Sequence, residues 1–464
     1  MSSDHNDEGK LDGRAFGLNS LTSLVVASMI GVGVFTTSGF TLGATGSLQS
    51  VMLCWTLGGM IAICGAISYG ELASLMPESG GEYLFLSRNL HPSAGFLAGW
   101  VSLVAGFSGA IATTAVGFVP YALPDHIRPA WLPPDVAAIT LIIAFGTMHA
   151  TSVRLGAAIQ NAIVCVKVVA LFAFLAVVGL KAGSHDWQIG ESSSASLPES
   201  VSSIASSLVW ISLSFAGFNA AIYVAGESKN AAANVPRALV LGTVLVTALY
   251  LVLNFVFVAA VPVDEIVWQQ PVAAIAAKAL GGSNLELLIR IAVSLGLASS
   301  ISGMIISGPR VYSKMADDNV FPRRFAGTQP GIRRSITLQC TIAVALILVQ
   351  RVLVFSGLQK DVLLGLFIYL GTTLSISSAC CAATLFLPSV RKRLPNGSGW
   401  KTVPTVVYVV ATFASVIVMA ATHTVDGESQ VFRHLGGTVI TFVTGLIAWR
   451  IFRPELQSDA VKGS

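Results

Sequence analysis

Apolar runs of roughly 20 residues, the length a helix needs to cross a bilayer, recur almost from one end of the chain to the other. Only short polar connections separate them. The pattern predicts twelve helical segments, over 16–43, 51–75, 93–121, 135–151, 155–180, 202–226, 237–262, 285–315, 336–355, 361–388, 402–422 and 434–452. The one long connection, 181–201, is rich in serine. A soluble catalytic domain has no room between these segments, so residues 15–464 read as one membrane domain behind a polar tail at 1–14.

Composition agrees with that pattern. Of 464 residues, 54% are hydrophobic and 11% charged, with a mean hydropathy of +0.75. A soluble chain carries about 25% charged residues. The placement of the basic residues sets an orientation. With the N-terminus inside, inner stretches hold 19 of the 27 Lys and Arg, outer ones hold six, and Lys167 and Arg290 lie within segments. That bias predicts both termini in the cytoplasm, and the expected location is the plasma (inner) membrane, crossed many times. All six cysteines fall in apolar segments, and neither a disulfide framework nor a zinc site is expected. The acid-rich start does not read as a signal peptide.

Two places break the helical pattern. Gly31-Val32-Gly33 sits mid-way along segment 1, where each glycine costs a helix interior about 1 kcal/mol relative to alanine. Segment 6 repeats the feature in Leu213-Ser214-Phe215-Ala216-Gly217-Phe218-Asn219. Interrupted helices at matching places in two halves point to a transporter binding site at a repeat interface. Five segments separate the breaks, so the halves have opposite orientation.

Four strings then carry a family resemblance: MIGVGVF at 29–35, YGELASLMPESGGEYLFL at 69–86, FAGFNAAIYVAGESKN at 215–230 with VPRAL at 235–239, and GPRVYSKMADDNVFPRRF at 308–325. With them the chain resembles the amino acid–polyamine–organocation superfamily of amino acid permeases. The resemblance implies an all-α leucine-transporter fold of twelve transmembrane helices, with helices 1 and 6 broken. Its inverted five-helix repeats would be 15–181 and 202–388, with two further helices at 402–452. It also implies transport of amino acids by alternating access, with no cofactor.

The same resemblance implies site residues. Val32 and Gly33, with Gly31, would bind the substrate carboxylate through backbone N–H groups; the carbonyls of Ile30, Leu213, Ser214 and Ala216 would take its amine. Bulk at Gly31 or Gly33 would fill the site. Leu213 stands where many relatives carry an aromatic gate. Met304 aligns with a position lining the substrate side-chain pocket, and a deformable apolar residue there favours neutral, aliphatic L-amino acids. Asn219 replaces a carboxylate linked to acid sensitivity in bacterial arginine/agmatine exchangers. Lys167 lies about two turns into segment 5 among apolar residues, and a charge at that depth is functional or paired by default. In proton-coupled members a lysine here stands in for a sodium ion, so Lys167 is the expected proton-coupling residue. Glu71 and Glu227, at the cytoplasmic ends of segments 2 and 6, are gating candidates with Arg88 or Arg237 as partners, and Asn219 is a third. Arg290 is expected to pair with Glu286 four residues earlier, and His149 reads as a helix-end residue.

The expected partners are an amino acid, a proton and the lipid bilayer, not nucleic acid. Relatives that join an ancillary glycoprotein do so through a cysteine after segment 3, and the loop 122–134 has none. Proton symport is the leading expectation, with obligatory exchange and a non-transporting amino acid sensor as alternatives. A membrane enzyme would want clustered catalytic groups, and the seven histidines are scattered.

Overall fold

The computed structural model describes residues 16–151, 169, 171–181, 183–189, 197–394, 398–422, 424–425, 428–429 and 431–462. Its helices are, in chain order, α1 (Leu18–Met29), α2 (Val32–Thr45), α3 (Leu48–Leu75), α4 (Gly81–Asn89), α5 (Pro92–Ala122), α6 (Pro134–Thr151), α7 (Leu171–Lys181), α8 (Leu197–Ser214) and α9 (Ala220–Glu227, a 3-10 helix). There follow α10 (Ala231–Ala259), α11 (Val263–Ile266), α12 (Val272–Asp317), α13 (Gln329–Phe355), α14 (Val362–Ala383), α15 (Pro388–Arg391), α16 (Thr402–Thr422) and α17 (Val431–Lys462). A two-residue hairpin, Thr424–Val425 with Glu428–Ser429, is the only β-pairing in a sheet among the described residues.

Local chemistry explains several helix ends. Ser47, Thr328 and Asp361 cap α3, α13 and α14 by accepting from Ser50 N, Gly331 N and Leu364 N at 3.2, 3.3 and 3.0 Å. Pro92 opens α5, where a missing N–H costs nothing.

Nine described helices are long and apolar enough to cross a membrane, or ten if the bent pair α1–α2 is one span. Of the expected segments 5 and 6, the shorter apolar helices Leu171–Lys181 and Val201–Ser214 are described. The outer faces of these helices bear exposed apolar side chains, among them Val352, Phe355, Ile440 and Ile447. So much exposed apolar surface needs lipid, not water. The protein is a multi-pass membrane protein.

Both predicted breaks are present. α1 and α2 meet at an angle of 44° across Ile30 and Gly31. α8 ends at Ser214, and the chain turns through Gly217 at φ +101° before α9 begins. Segment 8 departs from expectation. Its helix starts at Val272 rather than 285, because the apolar stretch 272–281 folds as a helical arm, hinged at Gly282 (φ +68°). Val272, Ala273, Ala274, Ala276 and Ala277 of this arm are fully buried. The middle of α5, Ser102–Gly109, is wound as a π-helix, a widening found often at functional sites.

Candidate functional site

The two breaks meet. A Cβ on Gly33 would lie 2.7 Å from the Ser214 Cα, and one on Gly217 would lie 2.8 Å from the Ser28 carbonyl oxygen. At Gly217 the positive φ also excludes most side chains. Tyr250 of α10 ties the junction together. Its buried hydroxyl lies 2.6 Å from the Met29 carbonyl and 3.1 Å from that of Ser214, so it sits between the last carbonyls of α1 and α8.

A cavity of about 1100 Å³ opens beside this junction. Gly31, Val32, Gly33, Leu213, Ser214, Ala216 and Met304 line it, as do Asn219 and Glu227 of the gating candidates. No side chain caps the start of α2 at Gly31. An uncapped helix start presents N–H groups and a partial positive charge, which suits an anion such as a carboxylate. The carbonyl ends of α1 and α8 lie opposite and suit a cation. Together they match the two charges of a zwitterion.

Several expectations need correction. Ile30, whose carbonyl is expected at the substrate amine, is not among the residues lining this cavity; it borders a small hollow with Phe35, Leu171 and Ile289. Gly33 is small because Ser214 packs on it, whereas a Cβ on Gly31 would meet nothing closer than Met29 O at 3.8 Å. Bulk at Gly31 would therefore enter the site, and bulk at Gly33 would push α2 and α8 apart. The Leu213 carbonyl already accepts from Ala216 N at 3.1 Å, and that of Ser214 from Tyr250, so each has one lone pair left for an amine.

Glu71 lies away from the cavity and is 5% exposed; it pairs with Lys401 of the 3-10 turn before α16, not with Arg88 or Arg237. Arg88 pairs instead with Glu78, at 2.6 and 2.7 Å. Glu227 is exposed at the cavity mouth, where its backbone carbonyl accepts from Phe16 N at 3.3 Å. Arg290 does pair with Glu286, at 2.8 Å, and also donates to the Pro120 carbonyl. His149 is indeed near a helix end, but it is buried against α12, with Nε2 2.8 Å from Ser302 Oγ. Lys167 lies outside the described residues.

Three features of the site region carry no sequence signal. Tyr250 is one, since a tyrosine in an apolar run looks like core. Glu82 is the second: it is 8% exposed, and its carboxylate accepts from Asn219 Nδ2 at 2.5 Å and Tyr223 OH at 2.6 Å. Its string, GGEYLF, reads as a loop helix. The third is the π-wound stretch of α5, which puts Ser102, Gly106 and Phe107 on the cavity wall.

A sequence model of the family described as amino acid permease matches residues 16–449. The chain belongs to that family. Its relatives include the large neutral amino acids transporter small subunit 2 of Oryctolagus cuniculus, 26% identical over 317 residues. That match covers 67% of this chain and 59% of the rabbit protein, so it spans about three fifths of that relative's length. The b(0,+)-type amino acid transporter 1 of Mus musculus is 28% identical over 267 residues, 55% of this chain and 53% of the mouse protein. The serine/threonine exchanger SteT of Bacillus subtilis is 26% identical over 352 residues, 74% of this chain and 78% of its own. Among solved structures, a manganese transporter of Eremococcus coleocola superposes with a TM-score of 0.57 over 99% of this chain and 97% of its own, at 12% identity. That likeness speaks to the fold alone. The chain has the all-α leucine-transporter fold with its first and sixth helices broken.

Proposed function

We propose that this permease is a secondary active transporter that moves neutral L-amino acids across the plasma membrane by alternating access. The observation that carries the reading is the junction of the two breaks. An uncapped helix start and two carbonyl-bearing helix ends face one cavity, and the family match and the relatives' printed names point the same way. In this reading Gly31, Val32 and Gly33 bind the carboxylate through their N–H groups, and the carbonyls of Ile30, Leu213, Ser214 and Ala216 hold the amine. Met304 lines the side-chain pocket, and Asn219 and Glu227 belong to the inner gate. Glu71 acts there only through Lys401. The two five-helix repeats, 15–181 and 202–388, exchange access around the site. Catalysis, cofactors and a disulfide-linked subunit form no part of it.

The cavity is lined at one end by Phe16, Glu82, Glu227, Arg310, Lys314, Asp317 and Gln329, and by no residue of the opposite connections among the described ones. The Lys/Arg bias supports a cytoplasmic position for that end and for both termini. The ion pairs agree: Arg88–Glu78, Lys401–Glu71 and Lys314–Asp318 join inner positions, while Arg128–Asp125 and Arg351–Asp135 join outer ones. The conformation is then inward-open.

Proton symport through Lys167 is the leading coupling mode. Exchange is the second reading, favoured by the relative named as a serine/threonine exchanger. Uptake of labelled amino acids into proteoliposomes, with imposed proton gradients and varied internal substrate, separates the two. Gradient-driven accumulation without internal substrate supports symport, and replacing Lys167 by an uncharged residue should then abolish it. Uptake that requires internal substrate supports exchange. If no amino acid is taken up or exchanged, the transport reading fails.

A further inference from the structure

The junction of the breaks does not use Glu82. Gly80 and Gly81, at φ +153° and +57°, bend the chain so that consecutive residues of α4 face two different partners. Tyr83 donates to Asp318 at the end of α12, at 2.8 Å. Glu82 turns the other way and reaches the cavity wall beside α9. Both of its donors, Asn219 and Tyr223, are neutral, and no ion pair to it occurs among the described residues. Each carboxylate oxygen accepts one hydrogen bond and keeps a lone pair. A negative charge that is 8% exposed, hydrogen-bonded but not neutralised, is costly unless a cation visits it.

Its place in the chain says which cation. Asn219 follows the segment 6 break by two residues, so Glu82 stands next to the junction, on the side of the cavity mouth. The other charged residues of the wall, Glu227, Arg310, Lys314 and Asp317, lie near the mouth, and Lys314 is paired with Asp318 at 2.5 Å. We propose that Glu82 is an inner subsite for a primary ammonium: a substrate's amino group passes from the carbonyls of the breaks to this carboxylate on its way to the cytoplasm. This rests on the transport reading and gives it a direction. An ammonium leaving the carbonyls would otherwise cross the cavity without a charged partner, whereas Glu82 offers charge-assisted hydrogen bonds. No carboxylate from the outer connections lines the cavity among the described residues, so the subsite serves the cytoplasmic face alone.

The test compares faces: intact cells load substrate from outside, and inside-out vesicles load it from the cytoplasmic side. Glu82→Gln should raise KM in inside-out vesicles by about 10-fold, the scale of one charge-assisted hydrogen bond, and leave KM in cells within about twofold. n-Butylammonium should inhibit wild-type uptake into inside-out vesicles, and Glu82→Gln should remove that inhibition. Tyr223→Phe takes away a donor but keeps the charge, and should change cytoplasmic KM by less than Glu82→Gln. Equal KM shifts at both faces, or a Tyr223→Phe effect as large as that of Glu82→Gln, would mean that the carboxylate only props α9 and would overturn the proposal. If Glu82→Gln does not reach the membrane, the wild type decides: failure of butylammonium to inhibit at the cytoplasmic face overturns it. A wild type that moves no amino acid in either preparation overturns the transport reading instead.

Discussion

The two ends of the broken helices, outer and inner in the proposed orientation, are held by different chemistry. Outside, the chain is shut by packing and backbone. Trp268, a non-glycine residue at φ +60°, donates its N–H to the Gly39 carbonyl at 3.0 Å and lies against Phe40. The buried arm 272–281 packs over this end, and Tyr121 donates to the Phe35 carbonyl at 2.7 Å. Inside, side-chain hydrogen bonds do the holding: Glu82 with Asn219 and Tyr223, Tyr83 with Asp318, and Ser79 Oγ accepting from Gly226 N at 3.0 Å. Dry packing is lost all at once, whereas hydrogen bonds on a cavity wall can be traded one by one for bonds to water as the wall opens. In the proposed inward-open reading, the open end is the one whose contacts can be remade singly.

The sharpest break in this comparison lies at the junction where the two ends meet. Gly33→Val drives a side chain into Ser214, and Gly217→Ala puts a Cβ against the Ser28 carbonyl in a left-handed backbone. Each should reduce uptake by about 100-fold or more, with loss of folded protein on size-exclusion chromatography, because strain and overpacking add. Gly31→Ala faces open space and should fold normally while raising substrate KM. Identical behaviour of Gly31 and Gly33 variants would remove the distinction between site and packing.

Lys401→Met comes next. It leaves Glu71 buried and unpaired at 5% exposure, and should cost about 3 kcal/mol in thermal-unfolding assays. Pairing it with Glu71→Gln should restore most of that stability. If the double variant is as weak as the single one, the pair is not what holds the end of α16 on α3. Tyr250→Phe should fold but lose the tie between α1 and α8, lowering affinity by about 10-fold for one hydrogen bond. Trp268→Ala should loosen only the outer end. Phe40→Cys, normally 2% exposed, would then react a few-fold faster with an impermeant thiol reagent from outside.

How much of this is legible in the chain alone follows the same divide. Hydropathy places the helices, since lipid demands apolar length. The glycines place both breaks, since only they leave helical geometry cheaply. Side-chain partners across the fold are not legible. Glu71 meets Lys401, 330 residues away, because α16 packs on α3, and no spacing in the chain encodes that. Glu82 looks like one more polar loop residue until α9 stands beside it. Tyr250 sits in a run of apolar residues, and only the position of two distant carbonyls distinguishes it from core. The helical arm 272–281 escapes a hydropathy reading because its alanines are too few to span a membrane, though they bury well within one.

The smallest expected effect tests whether inner polar contacts are cheap. Arg88 and Glu78 lie at the inner surface with side chains 48% and 55% exposed, and water screens such a pair to about 0–1 kcal/mol. The hydrogen bond from Arg88 holds the Glu78 carboxyl below its ordinary value. A depressed folded-state pKa means that the pair's stabilisation is complete above the unfolded-state value, about 4.3, and is lost as pH falls through the lowered one. Arg88→Gln should therefore lower the unfolding temperature slightly at pH 7, with the gap closing in acid and in high salt. A loss as large as that of Lys401→Met would mean that this surface pair closes part of the inner gate. The inner end would then be held as firmly as the outer one.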